Sequence, residues 1–436
     1  MEKQNPKTAI VLGAYGLIGS ACLRALKREG FRVIGVGRSR SAGLRCDPKI
    51  EWLERDISKV PVDTWKDDLK GADIVVNASG ALQSGAKDSL SGVHETAVAR
   101  LVSALEGTAT LLIQISAAGV SDSATTEFFR SKMRGDRMIM QSNLAWIILR
   151  PTLVLSTQAY GGTALLRASA AFPMIGMSVF PDAPIQTVYV EDVAQAVVQA
   201  VNGEIPTGTV ADLTEEETWS FQTVNKMVRA WLGFKPWMFT LSVPAPLLRL
   251  TGLCADALGW LGWRPPLRST ALKVLADGVK GDPKIWANAG GLKCRSLVET
   301  LDAIPATTQE RWFARLYLLL PIAIATLSVF WIVSGLVGLA ENQKAQVLLT
   351  DRGLSPVFAT LSVVGGSIVD LMLGLAVLVR PWARKACYGM VVVSIAYLAG
   401  GTLLTPDIWG DPLGPFVKVL PGIMLASFVA SILEDR

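Results

Sequence analysis

Two patterns of apolar residues divide the chain. As far as about residue 308, short apolar runs alternate with stretches at helical spacing, and beyond it the apolar runs exceed twenty residues. TAIVL at 8–12 reads as a short buried strand. GAYGLIG at 13–19 follows and leads into SACLRALKREG, where Leu17, Ile18, Ala21 and Leu26 mark the inward side of a helix, with Phe31 just beyond it. Gly30 stands where a helix ends in a left-handed residue. FRVIGV at 31–36 is the second strand. ADIVVNASG at 72–80, TLLIQISAAG at 110–119 and AWIILRPTLVL at 145–155 continue the series, with helical stretches such as 93–105 between them. This alternation predicts an α/β fold with a parallel sheet and helical crossovers.

The C-terminal pattern is different. Residues 316–340 are 25 positions without a charge, and roughly 18–20 suffice to cross a bilayer. Residues 353–379, 386–406 and 412–433 form three more runs, broken only by Asp370 in the first and Lys418 in the last. An all-α, four-helix transmembrane domain is expected. Arg311, Arg315, Arg380, Arg384 and Lys385 flank one side, whereas Lys344, Arg352 and Lys418 belong to the other. The positive-inside rule then places both chain ends in the cytoplasm. Asp370 is a charge inside a span, which points to a functional or an assembly role. Gly365, Gly366, Ser367 and Gly374 would let helices approach closely.

Composition sharpens this division. Half of the residues are apolar and 18 % are charged, with a mean hydropathy of +0.38, and the excess collects after Trp312. The net charge of +5 is modest and forms no dense Lys/Arg block, which excludes nucleic acid as a partner and suits a surface beside an anionic membrane. Five cysteines, at 22, 46, 254, 294 and 387, are odd in number and widely spaced, so no disulfide framework is expected. His94 is the single histidine and no cysteines cluster, so no metal site is expected. Residues 1–8 are polar and charged, unlike a signal peptide. The expected location is a bacterial cytoplasmic (inner) membrane, with the first domain on the cytoplasmic side.

A glycine fingerprint between a strand and a helix, at the start of such a sheet, points to a Rossmann-like dinucleotide fold. Gly13 permits the tight turn, Gly16 admits the pyrophosphate and Gly19 lets helix and sheet pack closely. The helix N-terminus then offers N–H groups to the phosphates. The second strand ends in GRSR at 37–40 with no acid for a ribose hydroxyl, whereas Arg38 and Arg40 suit a 2′-phosphate. The cofactor expected is NADP(H). Asp56 meets either the adenine or the start of a helix.

GAYGLIG at 13–19, GRSR at 37–40, DI at 56–57, NASG at 77–80, ISAAG at 115–119, FFRSKMRGD at 128–136, LRPTLVL at 149–155 and VYVEDVAQAV at 188–197 appear in one order. Together, over roughly residues 8–235, they resemble the extended or atypical short-chain dehydrogenase/reductases. The likeness is to the NAD-dependent epimerase/dehydratase-like group that includes the NADPH-binding accessory subunit of respiratory complex I. The resemblance implies a cofactor site at Gly13, Tyr15, Gly16, Leu17, Ile18, Gly19, Arg38, Arg40, Asp56, Ile57, Ala78, Ser79, Gly80, Lys132 and Pro151. It also implies a catalytic Ser, Tyr and Lys. Lys132 matches the Lys, and Ser116, or nearby Ser121 or Ser123, matches the Ser. The Tyr position holds Phe128, beside Phe129, and neither has an ionisable proton. Tyr160, Tyr189 or a water remain as alternative donors. Asp192 reads as a helix cap. The C-terminal features WIVSGLVGL at 331–339 and GGSIVDLMLGLAVL at 365–378 resemble the DoxX-like membrane family.

The domains expected are 1–235 for NADP(H), 236–308 for a small substrate-side lobe and connector, and 309–436 for the membrane. Trp237, Trp260 and Trp263 either line an apolar cleft or lie against lipid headgroups, and the region around 246–262 suits an in-plane helix. Two functions follow. One is a membrane-anchored NADP(H)-dependent oxidoreductase or epimerase-like enzyme acting on a lipid-like substrate. The other is a non-catalytic NADPH-binding subunit of a membrane redox complex, or of a homo-oligomer. A transporter with a regulatory domain is a third, less suited to a single intramembrane acid.

Overall fold

The computed structural model describes residues 6–85, 89–263, 265–412 and 414–433. The chain divides into two compact units: residues 1–256 with 265–314, and residues 257–264 with 315–436. The segment 236–308, set apart by sequence as a lobe and connector, is shared between them.

The first unit carries seven parallel strands: β1 (Thr8–Leu12), β2 (Arg32–Gly37), β3 (Glu51–Glu54), β4 (Ile74–Asn77), β5 (Leu111–Ile115), β6 (Ala145–Pro151) and β11 (Thr209–Leu213). Their order is β3-β2-β1-β4-β5-β6-β11. Three short ribbons add to them: β7 (Leu153–Leu155) with β10 (Thr187–Tyr189), β9 (Pro184–Ile185) with β12 (Trp219–Ser220), and β8 (Ile175–Ser178) with β13 (Phe239–Ser242).

Strand alternation builds the two apolar layers. Ala9 and Val11 of β1 face one layer, with Cys22, Leu23 and Leu26 of α1 (Leu17–Arg28) and Val193 and Val197 of α7 (Val190–Val201). Ile10 and Leu12 face the other. There they meet Trp65 of α3 (Val62–Asp68), Val98 and Leu101 of α4 (Ala97–Leu105) and Ile139 of α5 (Glu127–Met140). Between α1 and α3 lies α2 (Arg40–Cys46). A π-helical turn, Gly92–Thr96, precedes α4. The unit is completed by α6 (Gly161–Ala170), α8 (Phe221–Trp231), α9 (Ala245–Trp260), which runs into the second unit, α10 (Ser269–Asp277), α11 (Lys284–Asn288) and α12 (Leu297–Ala303). Helix α1 ends as expected, with Gly30 at φ +85°.

The second unit is helical. α13 (Thr308–Leu316), most of which belongs to the first unit, and α14 (Leu319–Ala340) make one 33-residue span, Thr308–Ala340. A short α15 (Asn342–Thr350) follows. α16 (Pro356–Thr360), a π-helical turn at Leu361–Gly365 and α17 (Gly366–Ala376) make a second span, Pro356–Ala376, and α18 (Arg380–Leu404) is a third. All three are long and apolar enough to cross a membrane. The fourth run behaves differently from expectation. Among the described residues there, Val419–Ile432 is helical, as α19, and its 14 residues measure about 21 Å against a hydrocarbon core of about 30 Å. Pro412, Gly414 at φ +56° and Pro415 occupy the start of that run, so the helix begins late.

Small residues do bring α14 and α17 together. A Cβ at Gly335 would lie 2.6 Å from the Ser367 carbonyl oxygen, and one at Gly374 would lie 2.9 Å from the Ile332 nitrogen. Gly366 instead makes room for the Tyr397 hydroxyl, while nothing approaches within 4 Å of the Cβ position of Gly365. Asp370 is buried and accepts hydrogen bonds from Ser334 at 2.8 Å and Tyr397 at 3.1 Å, so one carboxylate ties three helices.

Candidate functional site

In the strand order, β1 leads outward to β2 while its other neighbour is β4. The crossovers depart in opposite directions there and open a crevice at the C-terminal strand ends. Gly13 leaves β1 with φ +71°, and its N–H donates to the Val36 carbonyl at 3.0 Å. A Cβ on it would sit 3.0 Å from the Ala78 carbonyl oxygen, so the turn is pressed against the end of β4. A Cβ on Gly19 would fall 2.2 Å from the Gly13 carbonyl oxygen. Gly16 is the N-cap of α1 and supplies no side-chain acceptor, and no acid stands in the first turn. The N–H groups of Leu17 and Ile18 are thereby left for an anion.

Tyr15 ties this turn to the next loop. Its hydroxyl accepts from the Arg38 N–H at 3.0 Å, and its ring fills the space above Gly37, where a Cβ would lie 2.2 Å away. Ser39 caps α2 by accepting from the Ala42 N–H, and the Arg40 N–H donates to Glu54 at 2.8 Å. The exposed side chains of Arg38 and Arg40 thus stand on a fixed backbone beside the end of β2. Asp56 lies in the turn after β3 and accepts from the Ser58 hydroxyl at 2.7 Å and the Lys59 ammonium at 3.4 Å. Burial works against its charge, but these bonds prevail and hold the carboxyl below its ordinary range. Ile57 packs on the second apolar layer.

After β4, the buried Asn77 side chain donates to Gln114 at 2.8 Å and accepts from the Ser79 N–H at 3.2 Å. The Ser79 hydroxyl is buried with no hydrogen-bond partner among the described residues, at the same edge as Gly13 and Ala78. An orphaned hydroxyl beside glycines that leave no room for side chains fits a bound dinucleotide.

Lys132 and His94 meet at Gly80, where a Cβ would be 3.9 Å from both the Lys132 Nζ and the His94 Nε2. Ser131 donates to the Phe128 carbonyl at 3.1 Å, so it accepts from His94 Nδ1–H at 2.8 Å. His94 Nε2 accepts in turn from the Ala81 N–H at 3.2 Å. The bonds require a neutral ring with its proton on Nδ1. Burial and the nearby Lys132 charge lower its pKa to about 3. Because the chain has one histidine, a single imidazole NMR signal reports it, and that signal should not move between about pH 5 and pH 8. A titration in that window would show that the bond pattern is wrong.

Lys132 is buried, and among the described residues its ammonium has one hydrogen-bond partner, the Ile115 carbonyl at 3.2 Å. Burial pulls its pKa down to about 8, against the pull of Asp136. It therefore remains mainly protonated at neutral pH, with donors left for a ribose or a substrate oxygen. The Phe128 ring stands 5.8 Å from this ammonium and is flanked by His94 and Phe129.

Ser116 is a buried link in a different network. Its hydroxyl donates to Asp136 at 2.7 Å, and Arg150 pairs with the same carboxylate at 2.9 Å. Its proton is thus committed to Asp136. Ser121 and Ser123 face each other at 3.4 Å. Tyr160 is exposed at the start of α6, and Tyr189 is buried beneath the Arg295 guanidinium. Asp192, expected as a cap, lies in the first turn of α7 and accepts from the Arg295 N–H at 2.8 Å. Pro151 closes β6 and accepts from the Ala118 N–H at 3.0 Å. Sequence reasoning missed the His94–Ser131 and Asp136–Arg150 pairs. Asp136 carried a signal, since it stands one helical turn beyond Lys132 on the same face.

Strand order, glycine turn and basic loop define a Rossmann-type dinucleotide-binding unit. Residues 13–204 match a family model described as NAD(P)H-binding, and residues 328–427 match a DoxX-like family. The chain therefore joins an NAD(P)H-binding domain to a DoxX-like domain. In fold it resembles WbmH of Bordetella bronchiseptica in complex with NAD+, with a TM-score of 0.53, 16% identity and coverage of 72% of this chain and 99% of that one. It also resembles WbmG from the same organism in complex with NAD, with a TM-score of 0.52, 14% identity and coverage of 70% and 95%. A third likeness is to an NADPH-dependent quinone oxidoreductase from Escherichia coli, with a TM-score of 0.51, 14% identity and coverage of 68% and 98%. Such identities establish a shared fold alone. No curated protein sequence matches the chain.

Proposed function

We propose that this chain is a membrane-anchored, NADP(H)-dependent oxidoreductase or epimerase-like enzyme that acts on a lipid-like or membrane-delivered substrate. The observation that carries the reading is Lys132: a buried ammonium, with donors that find no partner among the described residues, at the crevice end where the sheet and α5 meet. A buried cation held by one carbonyl and a ring face implies a further oxygen ligand. The bound nicotinamide supplies the hydride. Lys132 orients the ribose and holds a proton near the reacting oxygen, and Phe128 keeps water from that side. Arg38 and Arg40 favour the 2′-phosphate of NADP(H).

The three long spans, with α19 and the apolar stretch before it as a fourth crossing, anchor the protein in a bacterial inner membrane. Arg311, Arg315, Arg380, Arg384 and Lys385 support a cytoplasmic first unit and C-terminus. A second reading, a non-catalytic NADPH-binding subunit of a membrane redox complex, is favoured by Phe128, which cannot move a proton.

Calorimetry in mild detergent tests the cofactor. Arg38→Ala should weaken NADPH at least about tenfold and leave NADH nearly unchanged, since a guanidinium–phosphate contact is a charge-assisted bond. Equal loss for both nucleotides would remove the basis for preferring NADP(H). Turnover is then tested as NADPH oxidation by the wild type in liposomes of bacterial lipid extract, with Lys132→Met as control. Tight binding without turnover would favour the subunit reading.

A further inference from the structure

β8 and β13 form a two-stranded parallel ribbon, paired from Ile175 with Phe239 to Ser178 with Ser242. Parallel strands normally lie beneath helices on both faces, and two strands alone are marginal in water. Yet every residue of β13 is exposed. Met174, Met177, Phe239 and Leu241 are large apolar side chains open to solvent, and Met238 is 79 % exposed. The base of the ribbon is firm. Trp237 donates to the Phe172 carbonyl at 2.9 Å, lies 4.6 Å from the Arg229 guanidinium and occupies the space left by Gly176.

α9 has the same character. Its buried positions, Leu248, Gly252, Ala255 and Gly259, follow helical spacing on one face. Asp256, beside them, accepts from Gln83 at 2.8 Å and pairs with Arg268 at 3.2 Å. The opposite face carries Leu247, Leu250, Leu253 and Trp260, between 50% and 69% exposed, and Arg249 is its only charge. A helix on a soluble surface turns polar residues outward. An outward face this apolar calls for a second apolar partner.

Chain continuity identifies that partner. α9 enters the second unit at residue 257. The turn after it is fixed there. Leu261 accepts from the Arg380 N–H at 3.0 Å, Trp263 donates to the Leu378 carbonyl at 2.6 Å, and the Arg380 guanidinium lies 5.6 Å from the Trp263 ring. Leu378 and Arg380 form the junction between α17 and α18, where Arg384 and Lys385 also cluster. Tryptophan and basic residues at the end of a spanning helix mark the headgroup level.

We propose that the outer face of α9 and the β8–β13 ribbon lie in the boundary between headgroups and acyl chains, with their apolar side chains in lipid. The proposal deepens the reading of a membrane-delivered substrate and rests on α14, α17 and α18 being membrane-spanning.

The test uses the full chain in liposomes of phosphatidylcholine and phosphatidylglycerol. Cys46 and Cys254, the exposed cysteines, are replaced by Ser, while Cys22, Cys294 and Cys387 are buried. Single nitroxide labels are attached after Leu241→Cys, Leu250→Cys or Leu253→Cys, all at exposed positions. Collisions with oxygen, which partitions into lipid, are compared with those of a water-soluble nickel chelate. Labels at 241, 250 and 253 should favour oxygen at least about threefold, and a label from Lys70→Cys should favour nickel. Nickel access at 250 and 253 equal to that at 70 overturns the proposal. Exclusion of both reagents also overturns it, because protein would then cover the face. Val392→Cys on α18 separates the two readings. Oxygen preference at 392 with nickel preference at 250 rejects the docking surface alone, whereas nickel preference at 392 rejects the spans themselves.

Discussion

Gly19→Val should abolish measurable NADPH binding while leaving the protein folded. The reason is a distance between two backbone groups. A Cβ at position 19 lies 2.2 Å from the Gly13 carbonyl oxygen, and neither atom can rotate away as a side chain would. Either the turn lifts from β4 or α1 tips from the sheet. Both movements would take the N–H groups of Leu17 and Ile18 from the place proposed for the pyrophosphate. Two charge-assisted hydrogen bonds at about 1.5–3 kcal/mol each correspond to a rise in Kd of roughly 10²- to 10⁴-fold. The strain on the fold is smaller, about 1–3 kcal/mol. Calorimetry gives the first quantity and circular dichroism shows that the second is survivable. Wild-type affinity in this variant would mean that the phosphates bind elsewhere.

Arg150→Ala should cause the largest loss of stability. The Asp136 side chain is fully buried, Arg150 is its cationic partner at 2.9 Å, and its Oδ1 has no hydrogen-bond partner among the described residues. Removing one member of such a pair costs about 3–5 kcal/mol, or roughly 10 °C in the melting of the first unit. The effect should depend on pH. Burial raises the Asp136 carboxyl above its ordinary range, while Arg150, Ser116 and Lys132 pull it down. A raised carboxyl favours the folded state when protonated, so its contribution is present in acid and lost as pH rises through the raised value. Without Arg150 that value climbs further. Arg150→Ala should therefore be weakest near neutral pH and recover toward about pH 5. Adding Asp136→Asn should restore much of the loss at neutral pH. A deficit that is the same at both pH values would show that packing, and not the buried charge, is responsible.

The parts of this structure that were legible in the sequence are those whose physics is local. Gly16 and Gly19 answer to steric demands within seven residues and Gly13 to its own left-handed φ, and the strand–turn–helix around them follows. The long spans were legible because length and polarity alone decide whether a helix can cross lipid. What stayed hidden depends on packing between distant segments. Ser116 looked like a free hydroxyl until α5 brought Asp136 to it. His94 meets Ser131 across 37 positions. Asp192 looked like a cap because its partner, the Arg295 backbone, lies 103 residues later. In the fourth apolar run, hydropathy outweighed the prolines and the glycine that delay α19.

Both units also share an irregularity of helix phase. The π-helical turn at Gly92–Thr96 contains His94, and the one at Leu361–Gly365 ends five residues before Asp370. A turn of this kind holds one residue more than its neighbours, and each residue advances a helix by about 100°. Loss of a single codon inside either turn would leave every other side chain chemically intact and rotate the following face by more than a quarter of a circle. Asp370 would swing away from Ser334 and Tyr397, and α4 would present a different edge to the sheet. Counting residues between landmarks is thus as much a part of these sites as the residues themselves, and an alignment that closes such a one-residue gap would pair positions that point in different directions.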